Sequence, residues 1–138
     1  MKFILGLYFD GQAKEALALY ERAFGCRVET CLYYKDAVRL GWAAPDEGKG
    51  DLIFHSEVRF GQQEVRLGDL GGEERIRMTR ETRYTVSLDS EEDVIRAFDA
   101  LAEGGVVIRP LERPPFLVII GGVRDRFGVN WELLCDYQ

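Results

Sequence analysis

Apolar positions recur with helical spacing twice along the chain. Ala16, Leu17, Tyr20, Ala23 and Phe24 share one face in the first half, and Val94, Ile95, Phe98, Leu101 and Ala102 repeat the spacing in the second. Recurrence at i, i+3, i+4 and i+7 predicts an amphipathic helix docked by one stripe. Each helix follows an alternating strand that closes on aspartate, Leu7-Tyr8-Phe9-Asp10 and Val86-Ser87-Leu88-Asp89. Ser90 with Asp93 reads as a capping box with Asp in place of the usual Glu. Gly25 and Gly104-Gly105 supply the helix stops.

After each helix the pattern turns to strand, at 27–34, 52–60 and 64–68 in the first copy and at 106–109, 116–123 and 129–135 in the second. Short turns, Gly61-Gln62-Gln63 and Arg126-Phe127-Gly128, join the last two strands of each copy as hairpins. The chain therefore reads as one α+β domain of two tandem βαβββ modules, about 1–70 and 81–138, with a linker at 71–80. Residues 35–50 read as a long polar loop carrying Trp42 and Pro45, the kind of segment that serves as a lid.

Strand alternation sorts the side chains by face. Leu52, Phe54, Val58 and Phe60 are expected under the first helix, with Ile53, His55, Glu57 and Arg59 opposite. Val65 and Leu67 point inward and Arg66 outward. In the second copy Tyr84, Val86 and Leu88 point inward, and Arg83, Thr85 and Ser87 outward. Val129, Trp131, Leu133 and Cys135 are expected in the core, and Asn130, Glu132 and Leu134 away from it. Core packing is also the expectation for Phe116.

Composition narrows the classes. A chain of 138 residues, 46% hydrophobic and 30% charged, suits one soluble domain. No apolar run approaches the roughly 20 residues of a membrane span. The opening Met1-Lys2-Phe3-Ile4-Leu5-Gly6 reads as a strand rather than a signal peptide, and a cytoplasmic location is expected. A net charge of −6 makes nucleic acid a poor partner. Arg75, Arg77 and Arg80 are interleaved with Glu73, Glu74 and Glu81, which reads as solvated linker. Cys26, Cys31 and Cys135 form no CxxC pair and are expected as free thiols. His55 is the one histidine, and neither a Ser/His/Asp set nor a phosphate-cradling glycine loop is present.

The run Tyr8-Phe9-Asp10-Gly11-Gln12-Ala13-Lys14-Glu15-Ala16-Leu17, followed by Tyr20 and Phe24-Gly25, resembles the opening of PhnB-like proteins. Ile53-Phe54-His55-Ser56-Glu57-Val58 is similar to that family's "MHAEL" strand. Asp125-Arg126-Phe127-Gly128-Val129-Asn130-Trp131 resembles its closing "D-x-FG-x-x-W". These proteins belong to the vicinal oxygen chelate superfamily, with glyoxalase I, bleomycin-resistance proteins and extradiol dioxygenases. The resemblance implies mixed sheets curved around a cavity, helices on the outer face, a small-molecule ligand of unspecified identity, and a homodimer. Metal-dependent members take ligands from the first and last strand of each module, which here puts Ile4, Arg66, Arg83 and Glu132 at those positions. Glu132 alone of the four suits a divalent cation, so no metal and no cofactor are expected.

Several residues keep two readings. His55 and Glu57 form either a base with its orienting carboxylate or a polar pair on a sheet surface. Glu132 pairs internally with Arg66 or Arg83, or else one arginine is free for a ligand carboxylate or phosphate. Tyr8, Thr85 and Ser87 would add hydrogen bonds. The leading expectation is a metal-independent protein binding a small organic ligand, an anion among the options, through Tyr8, Arg66, Arg83, Thr85, Ser87 and Glu132. The alternatives are a metal-assisted lyase, isomerase or dioxygenase using His55, Glu57 and Glu132, and a dimeric interaction module without ligand.

Overall fold

The computed structural model describes residues 1–45, 49–70 and 82–138. The expected linker at 71–80, with its interleaved arginines and glutamates, lies outside the described residues. The chain divides into two compact units, and the strand order is the same in both.

The first unit holds β1 (Leu5–Phe9), α1 (Ala13–Phe24) as far as Glu21, β2 (Arg27–Tyr33), α2 (Tyr34–Arg39), β3 (Ile53–Phe60) and β4 (Gln63–Asp69). Its sheet runs β1-β4-β3-β2. The β1–β4 pair is parallel and the other two pairs are antiparallel. The predicted alternation holds in β1, where Leu7 and Phe9 are buried and Gly6 and Tyr8 exposed, and in β4, where Val65 and Leu67 are buried. The buried stripe of α1 is Ala13, Ala16, Leu19, Tyr20 and Ala23. It sits slightly to one side of the expected stripe, leaving Leu17 and Phe24 half-buried. Gly25 ends the helix at φ 65° and donates its N–H to the Glu21 carbonyl, a left-handed stop that glycine makes without a Cβ penalty.

Two expectations in this unit are corrected. The register between β2 and β3 shifts at Leu32/Tyr33. That irregularity breaks strict alternation, so Ile53 is buried and Phe54 half-buried. Phe54 instead meets the Tyr34 ring edge-on, with centroids 5.2 Å apart. The supposed loop at 35–50 begins with the helix α2, because Tyr34 and Ala37, one turn apart, are both buried. The Tyr34 hydroxyl donates to the Asp69 carbonyl at 2.9 Å. Asp69 is itself buried, and its carboxylate accepts from Ala13 N at 2.9 Å and Ile53 N at 3.0 Å. One carboxylate thus ties together the start of α1, the start of β3 and the end of β4, with a negative charge at a helix N-terminus where the peptide dipoles favour it.

The second unit holds β5 (Tyr84–Ser87), α3 (Glu91–Ala102), β6 (Val106–Glu112), β7 (Ile119–Arg124) and β8 (Asn130–Cys135). Its sheet runs β5-β8-β7-β6, again with first and last strands parallel. Ser90 caps α3, accepting from Asp93 N at 3.1 Å and donating to Asp93 Oδ2 at 2.8 Å. Val94, Ala97, Phe98 and Leu101 form the buried face. Trp131, Leu133 and Cys135 alternate inward along β8 as expected, while Tyr84, Val86 and Leu88 are only half-buried. Phe116 is corrected from core to surface. It precedes β7 and is 72% exposed. No helix among the described residues is long and apolar enough to cross a membrane.

Candidate functional site

The non-helix face of the first sheet centres on Arg66, midway along β4. Its rung neighbours are Gly6 on β1 and Glu57 on β3. Gly6 has no side chain, and the Tyr8 ring folds back over it. A Cβ at Gly6 would stand 2.9 Å from a Tyr8 ring carbon and 3.6 Å from the phenol oxygen. The phenol therefore reaches toward the rung that carries Arg66. His55 Nε2 stands 3.7 Å from Glu57 Oε1, both half-exposed, so these two expected partners do meet.

Arg66 Nε is buried without a hydrogen-bond partner. The carboxylate it approaches is Glu64, whose Oε1 is 4.0 Å away, beyond hydrogen-bond range. Glu64 is engaged elsewhere, since Lys2 Nζ donates to its Oε2 at 2.6 Å. That hydrogen bond, reinforced by the charges of Lys2, Arg66 and Arg59, holds the Glu64 carboxyl below its ordinary range despite some desolvation.

In the second unit the corresponding rung is Thr85–Glu132–Gly122. The Thr85 hydroxyl donates to Glu132 Oε1 at 3.2 Å, and Arg83 Nη1 lies 3.4 Å from Glu132 Oε2. The Ser87 hydroxyl donates to Asp136 Oδ2 at 3.0 Å. The two arginines therefore differ. Arg83 meets its carboxylate at 3.4 Å, and Arg66 Nε meets its own only at 4.0 Å with no hydrogen bond.

The strand positions where the resemblance implies metal ligands fit a divalent cation poorly. The first-strand residues standing beside Arg66 and Glu132 are Gly6 and Thr85, while Ile4 and Arg83 precede their strands. Gly6 brings no donor, Arg66 brings a positive charge, and Glu132 is already engaged. Among the described residues no three His, Cys, Asp or Glu side chains converge as a metal-binding group.

The closing motif is structural. Asp125 Oδ1 accepts from Phe127 N at 2.9 Å and Val129 N at 3.1 Å, and its Oδ2 accepts from Trp131 Nε1 at 2.9 Å. Gly128 supplies φ 89° between them. The spacing of Asp, Phe-Gly and Trp is thus the geometry of an aspartate-organised turn. Sequence reasoning missed Lys2, Glu64 and Asp136. The available signal was that Lys2 shortly precedes the first strand and Glu64 stands near the start of the last, two strands that pair in this module type.

The family described as 3-demethylubiquinone-9 3-methyltransferase matches residues 1–134 of the chain. The structure of protein PA1353 from Pseudomonas aeruginosa is 26% identical, covers 100% of this chain and 99% of its own, and superposes with a TM-score of 0.81. The PhnB protein from Bacillus cereus is 25% identical over 98% of this chain and 99% of its own, with a TM-score of 0.80. A glyoxylase/bleomycin resistance protein/dioxygenase domain from Frankia sp. EAN1pec shares the fold at 13% identity, over 100% of this chain and 93% of its own, with a TM-score of 0.67. No curated protein matches.

Proposed function

From a chain that belongs to the PhnB-like family, described as 3-demethylubiquinone-9 3-methyltransferase and built on the vicinal oxygen chelate fold, we propose a protein that binds a small organic anion without a metal. The observation that carries this reading is Arg66, whose side chain is 43% exposed, whose nearest carboxylate is 4.0 Å away and whose Nε–H has no hydrogen-bond partner. A cationic donor left without an acceptor is costly, and a ligand carboxylate or phosphate would answer it with a charge-assisted bond. The Tyr8 phenol, folded over Gly6, supplies a second donor on the same face. In the second unit Arg83, Thr85 and Glu132 form an internally paired group, and Ser87 is engaged by Asp136. The protein works in the cytoplasm as a homodimer, and its net charge of −6 disfavours nucleic acid.

The test is a calorimetric titration of small carboxylates and neutral analogues against the parent and Arg66→Met. Acidic ligands are expected to lose roughly tenfold or more in affinity in the variant, and neutral ones to be unchanged. Equal loss for both classes rejects Arg66 as the anchor. Sedimentation as a monomer at micromolar concentration rejects the dimer.

The His55–Glu57 contact at 3.7 Å supports a second reading, a metal-assisted lyase, isomerase or dioxygenase. Stoichiometric Zn, Mn, Ni or Fe in the purified protein, with activity lost on chelation, would replace the first reading by this one.

A further inference from the structure

Glu64 and Arg66 stand two apart on β4, on the same face of the strand. Opposite charges so placed are expected to close on one another, since neighbouring ion pairs on a sheet face are mutually stabilising. Here they do not. Glu64 Oε2 is taken by Lys2 at 2.6 Å, and Arg66 Nε is left 4.0 Å from Oε1, buried and without an acceptor. Lys2 reaches Glu64 from the segment entering β1, which lies alongside β4 in parallel register. The strand pairing therefore brings the segment that carries Lys2 close to the start of β4.

We propose that Lys2 is a positioning residue for the anion site at Arg66: by holding Glu64 it keeps the Arg66 guanidinium open to an external acid. Glu64 is an internal competitor for the cation, and Lys2 is the residue that withdraws it. This rests on the reading of Arg66 as the ligand anchor and adds how the anchor is kept available. Removing Lys2 frees the carboxylate to turn onto Arg66, which then satisfies its donor internally. Removing Glu64 abolishes the competitor, after which Lys2 no longer matters to the site.

The experiment is an NMR titration of the isotopically labelled full chain with inorganic phosphate, following the Arg66 Nε–H signal. It covers the parent, Lys2→Met, Glu64→Gln, the double variant and Lys2→Arg. In Lys2→Met the Nε–H signal is expected to shift and exchange more slowly with water, and phosphate affinity at Arg66 to fall roughly tenfold. Glu64→Gln is expected to bind phosphate at least as well as the parent. The double variant should match Glu64→Gln, and Lys2→Arg should match the parent. Restoration in the double variant separates withdrawal of Glu64 from the simple loss of a nearby positive charge. The proposal is overturned if Lys2→Met leaves the Nε–H signal and the affinity as they were, or if the double variant stays as weak as Lys2→Met. If the Nε–H signal moves in Lys2→Met but phosphate perturbs Arg66 in no variant, the ligand site fails and the competition for Glu64 stands.

Discussion

The Trp131 indole N–H donates to Asp125 Oδ2 at 2.9 Å, and the other oxygen of that carboxylate takes two backbone N–H groups of the same turn. Asp125 is 3% exposed, so the three donors lose their acceptor together when it is removed. Asp125→Ala is expected to cost about 2–4 kcal/mol in urea unfolding. Asp125→Asn should cost less, because one oxygen can still serve the backbone pair. A cost under about 0.5 kcal/mol for Asp125→Ala would show that water replaces the carboxylate.

Two glycines should respond oppositely to alanine. A Cβ at Gly105 would lie 2.4 Å from the Arg124 carbonyl and 2.9 Å from that of Leu101. Both obstacles are backbone, so Gly105→Ala should destabilise by about 1–3 kcal/mol or more. At Gly6 the obstacle is the Tyr8 ring alone, which can swing aside. Gly6→Ala should change stability by less than about 1 kcal/mol while moving the phenol, detectable as a shift of the Tyr8 ring signals. A large loss of stability in Gly6→Ala would mean that Tyr8 is locked.

The thiols should separate by reactivity. Cys31 is exposed, and Cys26 and Cys135 are buried. Burial, with a smaller push from the Glu21 charge, drives the Cys26 thiol up to about 12, and the thiolate is the reactive form. An aromatic disulfide reagent at mildly alkaline pH is expected to label Cys31 alone in the native protein, and all three after unfolding. Native labelling of Cys26 would contradict its placement.

Stability should fall in acid partly through Glu64. Its folded carboxyl lies below the ordinary value of 4.5. The stabilisation is therefore complete above that value and is lost as pH drops through the lower folded value. Lys2→Met should flatten this part of the stability profile, measured by urea unfolding from neutral pH down to about 3. An unchanged acid limb would show that Lys2 is not the main cause.

The tandem modules were legible because Ala16, Tyr20 and Ala23, and Val94, Phe98 and Leu101, mark the two helices by period alone. The inward set of β8 followed from strict alternation through Trp131, Leu133 and Cys135. The rest failed where a pattern is too short or is broken. Helix α2 is six residues long and buries only Tyr34 and Ala37, too little for a period to show. The shift beside Tyr33 moves Ile53 into the core, and such irregularities leave no mark in apolar content. At the candidate site, Arg66, Tyr8, Glu57 and His55 could be placed on a face from alternation. That Arg83 meets its carboxylate at 3.4 Å and Arg66 only at 4.0 Å depends on where long side chains end, and strand position does not encode that.

In each module the earliest strand waits for the last. Leu5 has no sheet partner until Val65 arrives, nor Tyr84 until Trp131. Chain closure over such spans is slow to form, so β1 emerges from the ribosome well before the strand that completes it. The Lys2–Glu64 contact belongs to that final closure. During synthesis Glu64 therefore reaches Lys2 only as the first module is finished, in the same event that seals the sheet.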